Sequence, residues 1–371
     1  MMKKKSLKLG TTFSGIGAPE QALKRLGIDF DVLFACDNGE RHIEIDYEKE
    51  YAHIVELDTP REKEEYVCDL YKQATRKTNF VEISYKANYD AKYFFQDVML
   101  LDGKDFTGDI DIFIGGSPCQ SFSIIGRQGG FNDTRGTLFY EYARLVNEIQ
   151  PEVFIYENVY NVINHDGGRT WSTMQNVFSE LGYHFSHAIL NAKDYGIPQT
   201  RKRLFVVGFK NEQYSKKFKF PNPVELEHEV PYFLEDNHAI GTIQNVDGKL
   251  TAISEEKGTP DEYYFLTPGV LKYVLSPGTK GFYHPEAETD TPIAKALLST
   301  MHNHHRTSVN NYVHTGERLR ELTITEGLRL MGFPDDFNVA VSKAQMYKQI
   351  GNSIAVDVMM AIIKEIEEAM G

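Results

Sequence analysis

Cys119 stands in the run Gly115-Gly116-Ser117-Pro118-Cys119-Gln120-Ser121-Phe122-Ser123, directly after the apolar segment 110–114. Two glycines and a proline predict a turn there, and the carboxyl ends of strands are where open α/β sheets bind ligands. A thiol presented in such a turn has the position of a nucleophile, whereas a lone cysteine is ordinarily a small buried hydrophobe. Two other groups have the chemistry to act with it. Glu157, in Glu157-Asn158-Val159, follows four uncharged residues, 153–156. A carboxyl at a buried strand end has a raised pKa and can give a proton to a ring nitrogen; the same residue can also be a helix N-cap or half of an ion pair. Arg201 and Arg203, in Gln199-Thr200-Arg201-Lys202-Arg203, precede the apolar run 204–207, and an extended chain points alternate side chains to one face. Surface charge is the ordinary use of such a run.

A second constellation suggests a cofactor. Thr11-Thr12-Phe13-Ser14-Gly15-Ile16-Gly17 lies between a first apolar run, 7–13, and a helical pattern over 20–26. Its glycines permit a tight turn and close approach of a ligand to backbone N–H groups at a helix N-terminus. Asp37 follows the second apolar run, 32–36, where an acidic side chain can accept hydrogen bonds from ribose hydroxyls. Together they suggest an adenosine-containing ligand. Asp97, after Phe94-Phe95-Gln96, occupies the same kind of place and can equally be a helix cap.

These residues need a sheet to hold them. Runs 7–13, 32–36, 110–114, 153–156 and 204–207 alternate with helical patterns, which predicts a parallel sheet covered by helices, a doubly wound α/β fold. One helix carries Leu138, Tyr142, Leu145, Val146 and Ile149 on one face; another carries Trp171, Met174, Val177, Phe178 and Leu181 and stops at Gly182. Residues 40–95 look like a polar insertion between strands. After Phe209, prolines break the rhythm and seven of the 12 histidines appear, so a second domain begins there.

At 371 residues the chain can bury a large core, and its three cysteines, Cys36, Cys68 and Cys119, make neither a disulfide framework nor a zinc site. His302, His304 and His305 have no cysteine or carboxylate at ligand spacing, so no metal is expected and they read as a polar loop. Lys3, Lys4 and Lys5 lack a following apolar stretch, and no run reaches membrane-spanning length, so the protein is expected to be cytoplasmic and off the membrane. The net charge of −13 argues superficially against a nucleic-acid partner. Residues 40–69 alone hold eleven acidic against four basic side chains, about half the deficit, and this stretch is expected to face away from nucleic acid. Basic residues cluster at Arg201-Lys202-Arg203, at Lys216, Lys217 and Lys219, and at Arg318 with Arg320, and a nucleic-acid face would be built from such patches.

The order of the glycine turn 13–17, Pro118-Cys119-Gln120, Glu157-Asn158-Val159 and the Gln199–Arg203 run resembles the cytosine-5 DNA methyltransferase family of bacterial type. Arg320-Glu321-Leu322-Thr323 with Glu326, Arg329-Leu330 and Gly332-Phe333-Pro334 is similar to that family's penultimate motif, and Gln349-Ile350-Gly351-Asn352-Ser353 to its last. The resemblance covers about 7–209 and 318–358. It implies a Rossmann-like catalytic domain over 1–212, a smaller, mostly irregular or β target-recognition domain over 213–317, and a return segment over 318–371 whose helix, from about 345 to 370, packs on the catalytic domain. It implies S-adenosylmethionine as cofactor, held by Phe13, Gly15, Ile16, Gly17 and Asn38, with Asp37 at the ribose and Asp97 at the adenine amino group. Pro118, Leu138, Asn352 and Ile354 would complete that pocket. Cys119 would attack carbon 6 of cytosine, Glu157 would engage ring nitrogen 3, and Arg203, with Arg201 beside it, would hold the ring carbonyl. Gln120, Ser123 and Arg127 would meet DNA, the last two from a mobile lid over 121–130, since the target base must leave the stack. Double-stranded DNA is the implied partner, met by a monomer, with a cognate restriction endonuclease in the same system. The sequence departs from the family at Gln96, where glycine often stands, at Thr325, where arginine is common, and at Ala296-Leu297, where a Thr-Leu pair is usual. The same chemistry on RNA, and a non-enzymatic DNA-binding relative, are the competing readings; a Rossmann dehydrogenase would leave the cysteine and glutamate motifs without a role.

Overall fold

The computed structural model describes residues 6–118, 138–277 and 286–371. From the amino end the chain forms β1 (Leu7–Thr12), α1 (Ala18–Leu26), β2 (Phe30–Cys36), α2 (Tyr47–Ile54), α3 (Pro60–Ala74), α4 (Phe80–Lys86), β3 (Ala91–Phe95) and β4 (Ile112–Gly115). It continues with α5 (Leu138–Ile149), β5 (Val153–Val159), α6 (Arg169–Glu180), β6 (His184–Asn191), β7 (Gln199–Thr200), β8 (Lys202–Phe209) and α7 (Glu212–Lys217). Seven of these strands make one sheet in the order β3-β2-β1-β4-β5-β8-β6. The order reverses between β1 and β4, so a crevice opens at their carboxyl ends.

Strands buried on both faces read as continuous apolar runs. Ile112 and Ile114 of β4 turn to one layer, with Leu9, Val32, Ala22 and Leu23; Phe113 turns to the other, with Phe34, Tyr142, Phe154 and Phe178. Phe113 stacks on Tyr142 of α5 at 5.0 Å between ring centroids, and Phe154 on Phe178 of α6 at 5.4 Å.

The sheet is not wholly parallel, as the alternation of runs and helices had suggested. β8 runs antiparallel to both β5 and β6. Only a single 3-10 turn, Ala192–Tyr195, and the two-residue β7 lie between β6 and β8, too little chain for a parallel crossover, so the two are antiparallel neighbours. β6 was hidden in the sequence because it is an edge strand with Ile189 46% exposed and polar residues between its apolar ones. The insertion is not a loop. Residues 40–95 form α2, α3, α4 and β3, with a satellite core of Ile43, Ile54, Val67, Tyr71 and Leu100.

Beyond α7 come the hairpin β9 (Ile243–Val246) and β10 (Lys249–Ala252), α8 (Pro268–Val274), β11 (Ala294–Lys295), and the hairpin β12 (Tyr312–Thr315) and β13 (Arg318–Glu321). β11 pairs with β7, which ties this region to the sheet domain. The chain ends in α9 (Ile324–Arg329), α10 (Lys343–Asn352) and α11 (Val356–Met370), so the expected single terminal helix is two, separated at 353–355. α11 packs on α1. There Arg25 grips Asp357 through two hydrogen bonds of 2.6 and 3.0 Å and also donates to the carbonyls of Gly332 and Gly248.

Candidate active site

The turn after β1 is shaped by backbone conformation. Phe13, Gly15 and Gly17 all have positive φ, and a Cβ on Gly17 would lie 2.2 Å from the Tyr89 ring. Ser14 clamps the turn to β2: its N–H donates to the Cys36 carbonyl at 3.2 Å, and its Oγ accepts from the Cys36 N–H at 3.0 Å. Asp37 closes the other side, accepting from the N–H groups of Gly15 at 3.0 Å and Gly39 at 2.8 Å, while burial pushes its carboxyl up.

At the ends of β4 and β5 a second arrangement meets the first. Asn158 donates to the Ser117 carbonyl at 2.8 Å and to the Tyr156 hydroxyl at 2.8 Å, and that hydroxyl bonds Ser117 Oγ at 2.7 Å. The chain is thus fixed two residues before Cys119. Glu157 points beside it and pairs with Arg203 of β8, Nε to Oε1 at 3.0 Å. Burial raises the Glu157 carboxyl, and the charges of Arg203 and Arg201 pull it back down. Gly116 passes so close that a Cβ there would lie 2.7 Å from the Glu157 carbonyl oxygen. A cavity open to solvent joins the two arrangements, lined by residues 11–16 with Ala18 and Pro19, by Ile114, Gly115, Gly116 and Glu157, and by Asn352, Ser353 and Ile354.

The structure therefore brings together Phe13, Gly15, Ile16, Glu157, Asn352 and Ile354 around one cavity, with Arg203 bound to Glu157. Asn352 also donates to Glu40 Oε1 at 3.2 Å, which ties the last motif to the turn after β2. Other expected site residues do not line this cavity. Arg201 is buried and donates to the carbonyls of Leu297, Gly351 and Ser353 at 2.6–3.0 Å, so its guanidinium joins its own segment to two others. Asn38 hydrogen-bonds within its own turn, to the Arg41 carbonyl and from the Glu40 N–H. Asp97 is buried and caps the helical turn that follows it through the Met99 N–H at 3.0 Å. Leu138 is the first residue of α5, and Pro118 is exposed. Cys119, Gln120, Ser123, Arg127 and the expected lid lie outside the described residues.

Sequence reasoning assigned no role of its own to Asn158; an amide next to Glu157 at the end of an otherwise uncharged strand was the available signal. It also passed over Glu20, fully buried beside the cofactor turn. Of the basic clusters, Arg320 is buried against Glu326 and Asp236, and the lysines of α7 lie at the opposite end of β8 from Arg203. His304 pairs with Glu321 at 2.7 Å and His305 with Thr300, and among the described residues no cluster of metal-binding side chains is present. No helix among them is long and apolar enough to cross a membrane.

Residues 7–368 match the model of the C-5 cytosine-specific DNA methylase family. The chain is 36% identical over 289 residues to the Type II methyltransferase M.SsoII of Shigella sonnei, covering 77% of this chain and 71% of that protein. It is 36% identical over 309 residues to M.HpaII of Haemophilus parainfluenzae, covering 78% and 80%. In fold it resembles a DNMT2 mutant from Spodoptera frugiperda, with a TM-score of 0.64 at 16% identity over 98% of this chain and all of the other.

Proposed function

The chain belongs to the C-5 cytosine-specific DNA methylase family and is a DNA cytosine-5 methyltransferase, and we propose that it methylates cytosine in a short duplex sequence using S-adenosylmethionine and Cys119 as nucleophile. One observation carries this reading: Glu157, paired with Arg203, and Gly116, on the approach to Cys119, line one cavity with the glycine turn. The residues present fit the cofactor, since residues 13–16, Asn352 and Ile354 line that cavity and Asp37 backs the turn. When bound, S-adenosylmethionine supplies the methyl group that carbon 5 takes up.

Cytosine carbon 5 is a poor nucleophile. Addition of the Cys119 thiolate to carbon 6 pushes electron density onto it, and positive charge near a thiol favours the thiolate. Glu157, raised by burial yet held by Arg203, bonds or protonates ring nitrogen 3 and so stabilises the charge that the addition creates. After transfer, loss of the carbon 5 proton lets the cysteine leave. The base must be flipped from the duplex for carbon 6 to be reached. The tie between α11 and α1 supports a catalytic unit of residues 1–212 completed by the return segment 318–371, with 213–317 as the target-recognition domain. The Type II names of its relatives support action on double-stranded DNA alongside a restriction endonuclease; that the protein works as a cytoplasmic monomer is part of the proposal. Bisulfite sequencing of plasmid DNA from expressing cells tests the activity: protected cytosines at one recurrent sequence are expected, and their persistence with Cys119→Ser would refute the nucleophile.

A further inference from the structure

The insertion between β2 and α4 has no part in the chemistry above, yet it is fastened to the cofactor strands at many points. Glu64 of α3 accepts from the Phe94 N–H of the edge strand β3 at 2.8 Å, and Arg61 donates to the Lys92 carbonyl at 2.8 Å. Lys63, buried, bridges Asp102 and Asp105, each at 2.7 Å, just beyond Asp97. Asn79 donates to the Asp37 carbonyl at 2.8 Å and to Gln96 Oε1 at 3.0 Å, and Arg41 bonds the same Gln96 oxygen while its guanidinium lies 4.5 Å from the centre of the Tyr71 ring. These contacts converge on Asp97. Its Oδ2 accepts from the hydroxyls of both Tyr71, at 2.7 Å, and Tyr47, at 3.2 Å, one from each of the insertion's helices α3 and α2.

We propose that the insertion is an adenine-selectivity element, in which Tyr47 and Tyr71 are positioning residues that hold the Asp97 carboxylate for the cofactor's amino group. The inference rests on the reading of Asp97 as the adenine contact. Among the described residues no lysine or arginine donates to Asp97; two hydroxyls and the Met99 N–H serve it instead. Burial pushes its carboxyl up, and these three donors pull it back toward the ionised, acceptor-only form. With both tyrosines on Oδ2 and one amide on Oδ1, a lone pair on Oδ1 is left for one further donor. An amino group meets that demand, and a ring carbonyl is repelled by it. Gln96, where the family often has glycine, contributes by joining the insertion to this strand end through Arg41, Asn79 and Glu82.

The competing account is structural: the helices merely cover the β3 edge. Calorimetric binding of S-adenosylhomocysteine, and of its analogue with hydrogen in place of the 6-amino group, separates the two. For Tyr71→Phe, which keeps the ring in the satellite core, we expect roughly tenfold weaker binding of S-adenosylhomocysteine and less than a twofold change for the deamino analogue. Tyr47→Phe should show the same pattern with a smaller factor. Equal losses for both ligands, or tighter binding of S-adenosylhomocysteine, would overturn the proposal. Should the wild-type chain bind neither ligand, the cofactor reading falls and this inference with it; selective loss of the difference alone leaves the cofactor reading standing. The unliganded melting temperatures of both variants are to be compared with wild type, so that a folding defect is seen as such and Tyr47→Phe carries the test in its place.

Discussion

Glu20 offers a sharp test of how burial controls charge beside the cofactor turn. Its side chain is fully buried, with Oε1 accepting from the Tyr85 hydroxyl at 2.6 Å and from Thr11 Oγ1 at 3.2 Å, while Oε2 has no hydrogen-bond partner among the described residues. Burial lifts the carboxyl from 4.5 to about 7, against the pull of Tyr85, its own backbone N–H and Thr11. The acid form is therefore the one that the fold favours. Its stabilising contribution is complete below pH 4.5, declines as the unfolded chain ionises, and is lost once pH has risen past about 7. At about 1.4 kcal/mol per pH unit, the full gap amounts to roughly 3 kcal/mol, of which about 1.4 kcal/mol disappears between about pH 6 and about pH 8.5. Glu20→Gln imitates the neutral carboxyl and removes the titration. Urea denaturation at those two pH values should show the variant gaining on wild type by about 1.4 kcal/mol at the higher one. A difference between the two proteins that stays constant with pH would refute the reasoning.

Two further changes test the joints of the site. Gly116→Ala places a Cβ 2.7 Å from the Glu157 carbonyl oxygen and 3.0 Å from its Oε2, so methylation should fall at least tenfold while stability drops by about 1–3 kcal/mol, read by radiolabelled methyl transfer and by urea titration. Arg25→Met strands Asp357 and the carbonyls of Gly332 and Gly248, which should destabilise the chain by about 3–5 kcal/mol in urea titration; a loss under ~1 kcal/mol would deny the α1–α11 tie its importance.

The central strands were legible because burial on both faces leaves apolar runs that no loop imitates, as in Ile112, Phe113 and Ile114. The edge strand β6 was not, since half of its side chains meet solvent and its pattern merges with that of a loop. Glu157 and Arg203 were found as separate motifs, but their pairing depends on β5 and β8 lying side by side and antiparallel, a long-range fact. Arg201 shows the reverse: two residues from Arg203 and alike in type, it donates to the carbonyls of Leu297, Gly351 and Ser353, partners that only the folded chain brings to it. The insertion was read from its charge as a polar excursion. Its tyrosines, spaced to reach Asp97, could not be seen without the helices that carry them.

The covalent step is the heart of the account, and a duplex carrying 5-fluorocytosine at the target base tests it directly. Fluorine replaces the proton that must leave carbon 5, so methyl transfer can proceed while release of the cysteine is blocked. With S-adenosylmethionine present, a protein–DNA complex that survives denaturing electrophoresis and maps to Cys119 is expected. Cys119→Ser should abolish it, because a serine hydroxyl is scarcely ionised near neutral pH. Glu157→Gln should slow its formation strongly, because an amide has no acidic proton for ring nitrogen 3. Methylation of DNA by Cys119→Ser at the wild-type rate, or an adduct that maps to another residue, would contradict the mechanism.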